Sequence, residues 1–229
     1  MIDIAKGNMY DWATPWNPLA GECPHKCSYC STKSLMFRPS CKAKYTGKLR
    51  LDDKAMKKNL GFGNTWFVCA QNDLWADKVP ERFIKQIINH CLEHSENTYV
   101  FQTKNPARYF RTLGWCFPYN CIFGCTIESN RDYATSPTSP SVRHRMESMM
   151  KLKRNKFITI EPIIYFDLDI FVDWIKAIKP NFVNIGADSK RHNLPEPPAD
   201  KIKALIAEIK NAGIEVKIKS NLSRLFAVE

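Results

Sequence analysis

Three cysteines within one short stretch constrain this chain more than any other feature. Cys23, Cys27 and Cys30 follow a C-x3-C-x2-C spacing, and the aromatic Tyr29 lies between the last two. Thiolates on one loop can converge on an iron–sulfur cluster or on zinc, because soft sulfur ligands suit these metals. A cluster with four irons would keep one iron without a protein ligand. The spacing therefore predicts a metal centre with an open position.

Two other interpretations of the same cysteines remain open. With Cys41 or His25 as a fourth ligand, they would form a closed structural zinc site. The function that suits such a site is that of a zinc-stabilised nucleic-acid-binding module, which is the non-enzyme alternative. The cysteines could also be ordinary buried thiols, since free cysteine is a small apolar residue that often lies in protein cores.

The composition bounds the remaining possibilities. A chain of 229 residues with 44% hydrophobic residues suits one α/β domain, and we expect residues 1–229 to form it. No apolar run reaches the length of a membrane-spanning helix, and the first residues lack a secretory layout. Nine cysteines are an odd number in a long chain, which favours reduced thiols and a cytoplasmic location over a disulfide scaffold.

Predicted strands and helices alternate from residue 65 to the end of the chain. This order indicates a parallel sheet covered by helices. We therefore predict an α/β fold, a partial (β/α)6 barrel of the TIM type with a possible seventh strand at the C-terminus. A short strand within residues 9–21 leads into the cysteine loop (residues 21–33). A basic insertion (residues 38–58) follows, which we expect to be irregular up to Leu51. The later strands are predicted at residues 65–70, 98–103, 121–127, 157–160, 182–186 and 214–219.

Polar residues follow or end nearly every predicted strand. Side chains alternate across a strand, so residues two apart share a face. A set of polar side chains at the carboxyl ends of parallel strands is typical of the active-site face of a barrel, although strand ends also need solubility. The residues that share such faces are Gln102 and Lys104; Thr126, Glu128 and Asn130; Thr159 and Glu161; Asn184, Gly186 and Asp188; and Lys217 and Lys219.

The net charge of +11 favours an anionic partner. Basic residues concentrate in two clusters, at residues 33–58 and 141–156, and Phe37 and Tyr45 interleave the first. Basic and aromatic side chains together are typical of surfaces that bind phosphates and stack on bases. A solvated basic face is the alternative for each cluster. The side chains predicted to bind a nucleic-acid or nucleotide substrate are Arg38, Lys42, Lys44, Arg143, Arg145, Lys217 and Lys219.

The cysteine loop resembles the signature of the radical S-adenosylmethionine superfamily. The resemblance implies that Cys23, Cys27 and Cys30 bind a [4Fe-4S] cluster whose open iron chelates S-adenosylmethionine. In that superfamily the reduced cluster cleaves the cofactor to a 5′-deoxyadenosyl radical, which abstracts a hydrogen atom from the substrate. The resemblance also implies a reductase partner such as a flavodoxin or a ferredoxin.

The same resemblance assigns cofactor-binding roles to residues near the strand ends. The superfamily has a small-and-acidic motif after its second strand, and the matching residues 70–73 lack its paired glycines. The implied cofactor-binding residues are Tyr29, Gln71, Asn72, Asp73, Gln102, Lys104, Thr126, Glu128, Asn130, Glu161 and Asn184. Asp188 is a candidate catalytic residue at a later strand end.

A closer resemblance extends through most of the chain. Short motifs such as Trp16-Asn17-Pro18, Gly124-Cys125-Thr126 and Glu161-Pro162 recur in order in a phage-associated radical family related in part to spore photoproduct lyase. In that lyase the substrate is a damaged thymine pair in DNA, and a cysteine returns a hydrogen atom to the product. The resemblance implies modification or repair of a nucleic-acid base or nucleotide. Modification of a peptide or partner protein is the alternative.

By this analogy a thiol here would act as hydrogen donor. Cys69 is the candidate, because it shares its strand face with Gln71 and Asp73. We expect Cys121 and Cys125 to face the helices, since their position along the strand is opposite to that of the polar set.

Overall fold

Seven parallel strands form one sheet that curls into a half-barrel. The structure of the protein, a computed structural model, describes residues 10–112, 114 and 116–226. The sheet has the strand order β1-β4-β5-β6-β7-β8-β9, so each strand lies beside the next one of the sheet along the chain. Its members are β1 (Thr14–Trp16), β4 (Thr65–Val68), β5 (Thr98–Thr103), β6 (Cys121–Thr126), β7 (Lys156–Ile160), β8 (Phe182–Ile185) and β9 (Glu215–Ile218). The predicted partial barrel is confirmed, with the seventh strand present.

Helices connect the strands, as a parallel sheet requires. The apolar spacing of the long third helix explains its position, because Ile84, Ile87, Ile88 and Cys91 share one face and are all buried. The helices are α1 (Pro39–Tyr45), α2 (Asp53–Met56), α3 (Glu81–Glu93), α4 (Ala107–Thr112), α5 (Val142–Lys151), α6 (Leu168–Ile178) and α7 (Ala199–Asn211). Short 3-10 helices span Ser31–Leu35 and Ser220–Leu225. None of the helices described is both long enough and apolar enough to cross a membrane.

The basic insertion is more regular than its composition indicated. It forms α1, which begins with Pro39, and a strand β3 (Arg50–Leu51) that pairs antiparallel with β2 (Leu19–Ala20). The Arg50 guanidinium donates hydrogen bonds to the carbonyls of Ala43 and Lys44, which ties the strand to the helix. The expectation of irregular backbone up to Leu51 was wrong for two reasons. Pro39 suits the first turn of a helix, and Arg50–Leu51 pair with a strand that lies before the cysteine loop.

The two faces of the sheet bury two separate apolar clusters. Phe67, Val100, Phe157 and Phe182 fill the inner, concave side, where the rings of Phe157 and Phe182 stack at 4.9 Å. The larger cluster lies between the sheet and the helices and contains Cys121 and Cys125, which confirms their predicted orientation. The alternation of side chains thus gives each strand one face toward the helices and one toward the barrel interior.

Gly124 gives Phe157 its place in the interior. The two residues are partners in the β6–β7 register, and a Cβ at position 124 would lie 2.2 Å from the ring of Phe157. No side chain heavier than hydrogen fits there without moving the ring. The inner cluster closes the bottom of the half-barrel and therefore supports the cavity above it.

We expect Gly124→Ala to lower the free energy of unfolding by about 1–3 kcal/mol, because the added methyl overpacks the interior. Denaturant unfolding followed by circular dichroism measures the change. Gly114→Ala is the matched control, since nothing lies within 4 Å of a Cβ there. Adding Phe157→Leu to Gly124→Ala should restore part of the loss. If Gly124→Ala has the same unfolding midpoint as the unmodified protein, this packing is contradicted.

Candidate active site

A cavity of about 580 Å³ opens at the carboxyl edge of the half-barrel. Residues that follow β4, β5, β7 and β8 form its wall, and the cysteine loop closes one side. Cys23, Cys27 and Cys30 all line it. The predicted residues that also line it are Tyr29, Cys69, Gln71, Asn72, Asp73, Gln102, Lys104, Thr126, Glu161, Asp188 and Lys219.

Polar contacts to the segment between β6 and α5 hold the cysteine loop in place. Ser28 donates its backbone N–H to the carbonyl of Thr135 at 2.8 Å, and the Thr138 hydroxyl donates to the carbonyl of Pro24 at 2.6 Å. Within the loop, Lys33 Nζ donates to the carbonyl of Cys27 at 3.0 Å. The backbone that carries the three thiols is therefore held both by the segment between β6 and α5 and by a contact within the loop itself.

Asp73 anchors the loop from the β4 side. His25 is buried at the centre of the loop, and its Nε2 lies 2.9 Å from Asp73 Oδ2. The carboxylate also accepts hydrogen bonds from the Thr103 hydroxyl at 2.7 Å and from the Lys104 backbone at 2.8 Å. Burial alone would raise the pKa of Asp73, but His25 and these hydrogen bonds lower it to about 2. Asn72 adds a hydrogen bond to the carbonyl of Gly21 at 3.0 Å.

Gln71 contacts the cysteine loop at a point beyond its third cysteine. Its side-chain Oε1 lies 2.9 Å from the Thr32 hydroxyl, just after the third cysteine, and its backbone N–H donates to Asn17 Oδ1 at 3.1 Å. The residues after β4 thus combine a place on the cavity wall with contacts that support the loop.

Glu128 is the centre of a buried network beneath Tyr29. Its carboxylate accepts hydrogen bonds from the Tyr29 hydroxyl and, at 2.9 Å, from the Arg145 guanidinium. Lys104 Nζ lies 3.9 Å from Glu128 and 5.2 Å from the centre of the Tyr29 ring. Burial would raise the pKa of Glu128, but Arg145 and Lys104 outweigh it, so the pKa is lowered and the carboxylate stays charged.

Arg145 does not lie at the surface, where we predicted it to bind the substrate. It is buried, and its guanidinium also donates to the carbonyls of Pro140 and Thr126. These partners occupy the donors that a phosphate would need, so the position fits the support of the site wall better than substrate binding. Sequence charge alone did not indicate this, because Glu128 is far from Arg145 along the chain.

Hydrogen-bonding side chains from successive strands form the floor of the cavity. Gln102 Nε2 donates to the Thr126 hydroxyl at 2.9 Å, and the Tyr10 hydroxyl donates to Gln102 Oε1 at 2.6 Å. Tyr10 lines the cavity and lies 2.9 Å from the Thr159 hydroxyl. Burial, followed by the nearby charge of Glu161, raises the pKa of Tyr10, so its hydroxyl stays protonated. Sequence analysis missed Tyr10, whose signal was the aromatic segment before the cysteines.

Asn184 and Asn130 lie outside the cavity. Asn184 is fully buried beneath the floor, with its amide 3.4 Å from the Thr159 hydroxyl. The Asn130 side-chain amide donates to the Asp167 carboxylate at 3.1 Å, and its Oδ1 accepts the backbone N–H of Asp167 at 2.8 Å. Asn184 therefore connects two neighbouring strands, and Asn130 holds the segment that begins α6.

Glu161 and Lys219 form the cavity wall opposite the cysteines. The Lys219 ammonium contacts the Glu161 carboxylate, and the Ser189 hydroxyl lies 3.2 Å from the same carboxylate oxygen. The carboxylate lies against Gly186, where a Cβ would come within 3.0 Å of it. Lys190 also lines this side, which sequence analysis missed. Lys217 does not line the cavity. Its ammonium lies 4.0 Å from the centre of the Phe182 ring.

Asp188 lines the cavity but its carboxylate is occupied by its own loop. It lies 2.6 Å from His192 Nδ1 and accepts the backbone N–H of Lys190 at 3.2 Å. Burial would raise the pKa of Asp188, but these contacts with His192 and Lys190 lower it. A role in shaping the loop after β8 fits these contacts.

The remaining predicted substrate ligands lie at the surface. Arg38 and Lys42 are exposed in and beside α1, close to the exposed ring of Phe37. Lys44 is half-buried and pairs with Asp52 at 3.0 Å. Arg143 is exposed and pairs with Glu147 one helical turn away.

Cys69 follows β4 in a left-handed backbone conformation, with φ of 59°. The strand ends at Val68, so strand alternation does not extend to this residue. It nevertheless lines the cavity and is buried. Burial raises the pKa of its thiol to about 12, so the sulfur keeps its proton.

The spacing of the three loop thiols distinguishes between the two metal interpretations. Zinc with sulfur ligands at about 2.3 Å in a tetrahedron holds those sulfurs about 3.8 Å apart. Among the described residues, no group of three donor atoms that includes these thiols lies within 4.8 Å of one another. A cluster spaces its thiolates more widely, because each binds a different iron. Of the two candidate fourth ligands, Cys41 does not line the cavity, and His25 lines it but has its Nε2 2.9 Å from Asp73 Oδ2. The donor set therefore fits a cluster better than a closed zinc site.

Together, the fold and the site define a half-barrel protein with a three-cysteine loop at the mouth of its cavity. The chain belongs to the family described as "Protein of unknown function (DUF5131)", which matches residues 9–177. Among curated proteins, none matches the sequence. The expected link to a phage-associated family is not confirmed by these comparisons.

Similar solved structures include several of spore photoproduct lyase. A mutant with dinucleoside spore photoproduct has a TM-score of 0.61 at 12% identity, over 88% of this chain and 74% of that one. The lyase complexed with the same dinucleoside has a TM-score of 0.57 at 11% identity, over the same shares of the two chains. A double mutant with bound AdoMet has a TM-score of 0.50 at 12% identity, over 86% of this chain and 60% of that one. The likeness confirms the half-barrel fold.

Replacing Glu128 with glutamine should lower the free energy of unfolding by about 3–5 kcal/mol, because Arg145 would remain buried without its charge partner. Denaturant unfolding measures the loss. Glu147→Gln removes the exposed partner of Arg143 and should change the free energy by less than about 0.5 kcal/mol. If both substitutions have the same small effect, the Glu128 network does not stabilise the site.

Proposed function

We propose that the protein is a radical S-adenosylmethionine enzyme. The proposal rests on the position of Cys23, Cys27 and Cys30, which line one cavity at the carboxyl edge of a half-barrel. These residues would hold a [4Fe-4S] cluster and leave one iron for the cofactor. When bound and reduced, the cluster supplies the electron that splits S-adenosylmethionine into methionine and a 5′-deoxyadenosyl radical. The bound AdoMet of a similar lyase structure supports the cofactor assignment.

The chain's own residues would position the cofactor and keep water away. A volume of about 580 Å³ lies within the range of about 300–1,000 Å³ that small-molecule sites occupy. Gln71, Gln102 and Thr126 offer hydrogen-bonding groups along the floor and the wall. The stacked rings of Tyr10 and Phe67, 4.9 Å apart, give the floor an apolar base. A shielded site of this kind protects a reactive radical from side reactions.

A nucleic-acid base or nucleotide is the proposed substrate. Lys190 lines the cavity beside Lys219, whose ammonium is paired with Glu161, so Lys190 is the cation proposed to bind a phosphate there. The surface residues Phe37, Arg38 and Lys42 offer one aromatic ring and two cations for a longer strand. The net charge of +11 favours such a polyanion. The dinucleoside in the similar lyase structures supports the same substrate class.

Cys69 is the proposed donor of the hydrogen atom that ends the reaction. The substrate radical would take the hydrogen atom of the S–H bond, which gives a closed-shell product and a sulfur-centred radical; one electron from an external reductase and one proton would restore the thiol. This step needs a protonated thiol, and burial keeps the Cys69 thiol protonated. Its place on the cavity wall gives it access to a bound substrate.

Each of Cys23→Ala, Cys27→Ala and Cys30→Ala should abolish 5′-deoxyadenosine release, because a cluster with two thiolate ligands is not held for turnover. Iron, sulfide and 5′-deoxyadenosine are measured after anaerobic reconstitution and reduction. Cys116→Ala, at an exposed cysteine outside the cavity, is the matched control and should behave as the unmodified protein. Cofactor cleavage that persists in any loop variant would rule out the proposed mechanism.

Cys69→Ala should keep cofactor cleavage but lose at least about tenfold of the correctly quenched product, since no thiol would reach the substrate radical. Liquid chromatography with mass spectrometry compares product and side products with 5′-deoxyadenosine. Cys125→Ala removes a buried thiol that does not line the cavity and serves as control. An unchanged product ratio in the Cys69 variant would exclude this residue as hydrogen donor.

The affinity for single-stranded DNA should fall steeply with salt, because binding to phosphates releases counterions. The double variant Arg38→Gln/Lys42→Gln should reduce the slope of log affinity against log salt by about 1.5, as two phosphate contacts are lost. Lys85→Gln/Lys210→Gln makes the same charge change on exposed residues of α3 and α7 and should leave the affinity nearly unchanged. No affinity for DNA or nucleotide at any salt concentration would favour a peptide or protein substrate instead.

A further inference from the structure

A second cluster of potential metal ligands lies at the end of α3, away from the cavity. His90, Glu93 and His94 each contribute one donor atom, and these atoms lie within 4.8 Å of one another. None of the three lines the cavity. His90 lies in the last turn of α3, and His94 directly follows the last helical residue, Glu93. The two histidines thus keep the spacing of four residues by which a helix binds zinc. The proposed reaction does not use this cluster.

Hydrogen bonds to backbone carbonyls already select the ring nitrogens that would bind a metal. His90 Nε2 lies 2.9 Å from the carbonyl oxygen of Lys58, which can only accept, so this nitrogen carries the proton. Its Nδ1 is then free to bind, and it lies 3.5 Å from Glu93 Oε2. His94 Nδ1 lies 3.0 Å from the carbonyl oxygen of His90, which leaves its Nε2 free. Metal-binding histidines usually have this second contact, because it fixes the ring and the tautomer.

Packing limits the movement of the first histidine. The ring of His90 lies 5.2 Å from that of Trp16 and 4.9 Å from that of His94, and the side chain is only 11% exposed. The Glu93 side chain is 69% exposed, so a carboxylate can move toward an ion at little cost. An ion pair between His90 and Glu93 would account for two of the side chains. The hydrogen bond to the carbonyl of His90 orients the ring of His94 even without an ion, and it leaves the other ring nitrogen available to a metal.

We propose that His90, Glu93 and His94 bind one divalent ion of the zinc class. Two imidazole nitrogens and one carboxylate oxygen suit zinc, and a water molecule would complete a tetrahedron. The ion would connect the end of α3 to the turn at Lys58, through the hydrogen bond from His90. It would therefore stabilise the folded chain, because the unfolded chain does not hold these ligands together.

Zinc binding to a protein without the loop thiols provides the test. The full-length triple variant Cys23→Ala/Cys27→Ala/Cys30→Ala removes the competing sulfur ligands. Isothermal titration with zinc should give one ion per chain, and zinc should raise the thermal midpoint. His94→Ala should weaken binding more than about 100-fold, and Glu93→Gln at least about tenfold, since loss of a ligand exceeds loss of a supporting contact. His144→Ala, at an exposed histidine on α5, is the control and should change neither quantity.

Cobalt binding to the unmodified chain is a second readout if the triple variant does not fold. The loop thiols of the unmodified chain also bind cobalt, so the readout is the difference spectrum between this chain and Glu93→Gln, which should show ligand-field absorption and no thiolate charge-transfer band. The proposal is overturned if zinc uptake is absent in the triple variant, or if His94→Ala leaves the affinity unchanged. The outcome is independent of the proposed radical reaction, because zinc is titrated into protein without the loop thiols and the cobalt difference spectrum cancels their contribution.

Discussion

The attachment of the cysteine loop to the strand ends is the constraint on which the site depends. Three thiols on a flexible loop would have no fixed position relative to a substrate. Here His25 lies against Asp73 at 2.9 Å, and the backbone of Ser28 and Pro24 is held by Thr135 and Thr138. The charged carboxylate of Asp73 is itself fixed by groups from β5. The loop is therefore part of the half-barrel wall rather than an appendage to it.

The curled sheet explains how apolar packing and a polar cavity share one interior. Strand alternation gives each strand one face for the helices and one for the concave side. Large rings fill the lower part of that side, and Gly124 makes room for Phe157. Above the rings the same face carries Gln102, Thr126 and Thr159, whose polar groups bond to one another. A buried polar floor is stable only when its groups have partners, and most of these do.

Local pattern predicted much of this arrangement, and long-range pairing accounts for what it missed. The inner-facing polar sets, the outward Cys121 and Cys125 and the seven parallel strands all follow from alternation and element order. The burial of Arg145 could not be predicted, because its partner Glu128 lies on another element. The position of Cys69 depends on a left-handed turn after β4, which strand alternation does not describe. Tyr10 and His25 acquire their roles only through contacts distant in sequence.

The central claim is that three thiolates leave one iron of a cluster open to S-adenosylmethionine. Electron–nuclear double resonance on the reduced, reconstituted protein tests it directly, with the cofactor labelled by nitrogen-15 at its amino group. The account predicts a nitrogen-15 coupling between that nitrogen and the cluster, which a nitrogen-14 coupling replaces when unlabelled cofactor is used. A cluster whose spectrum does not respond to the cofactor, or protein that holds zinc and no iron at the loop, would contradict it.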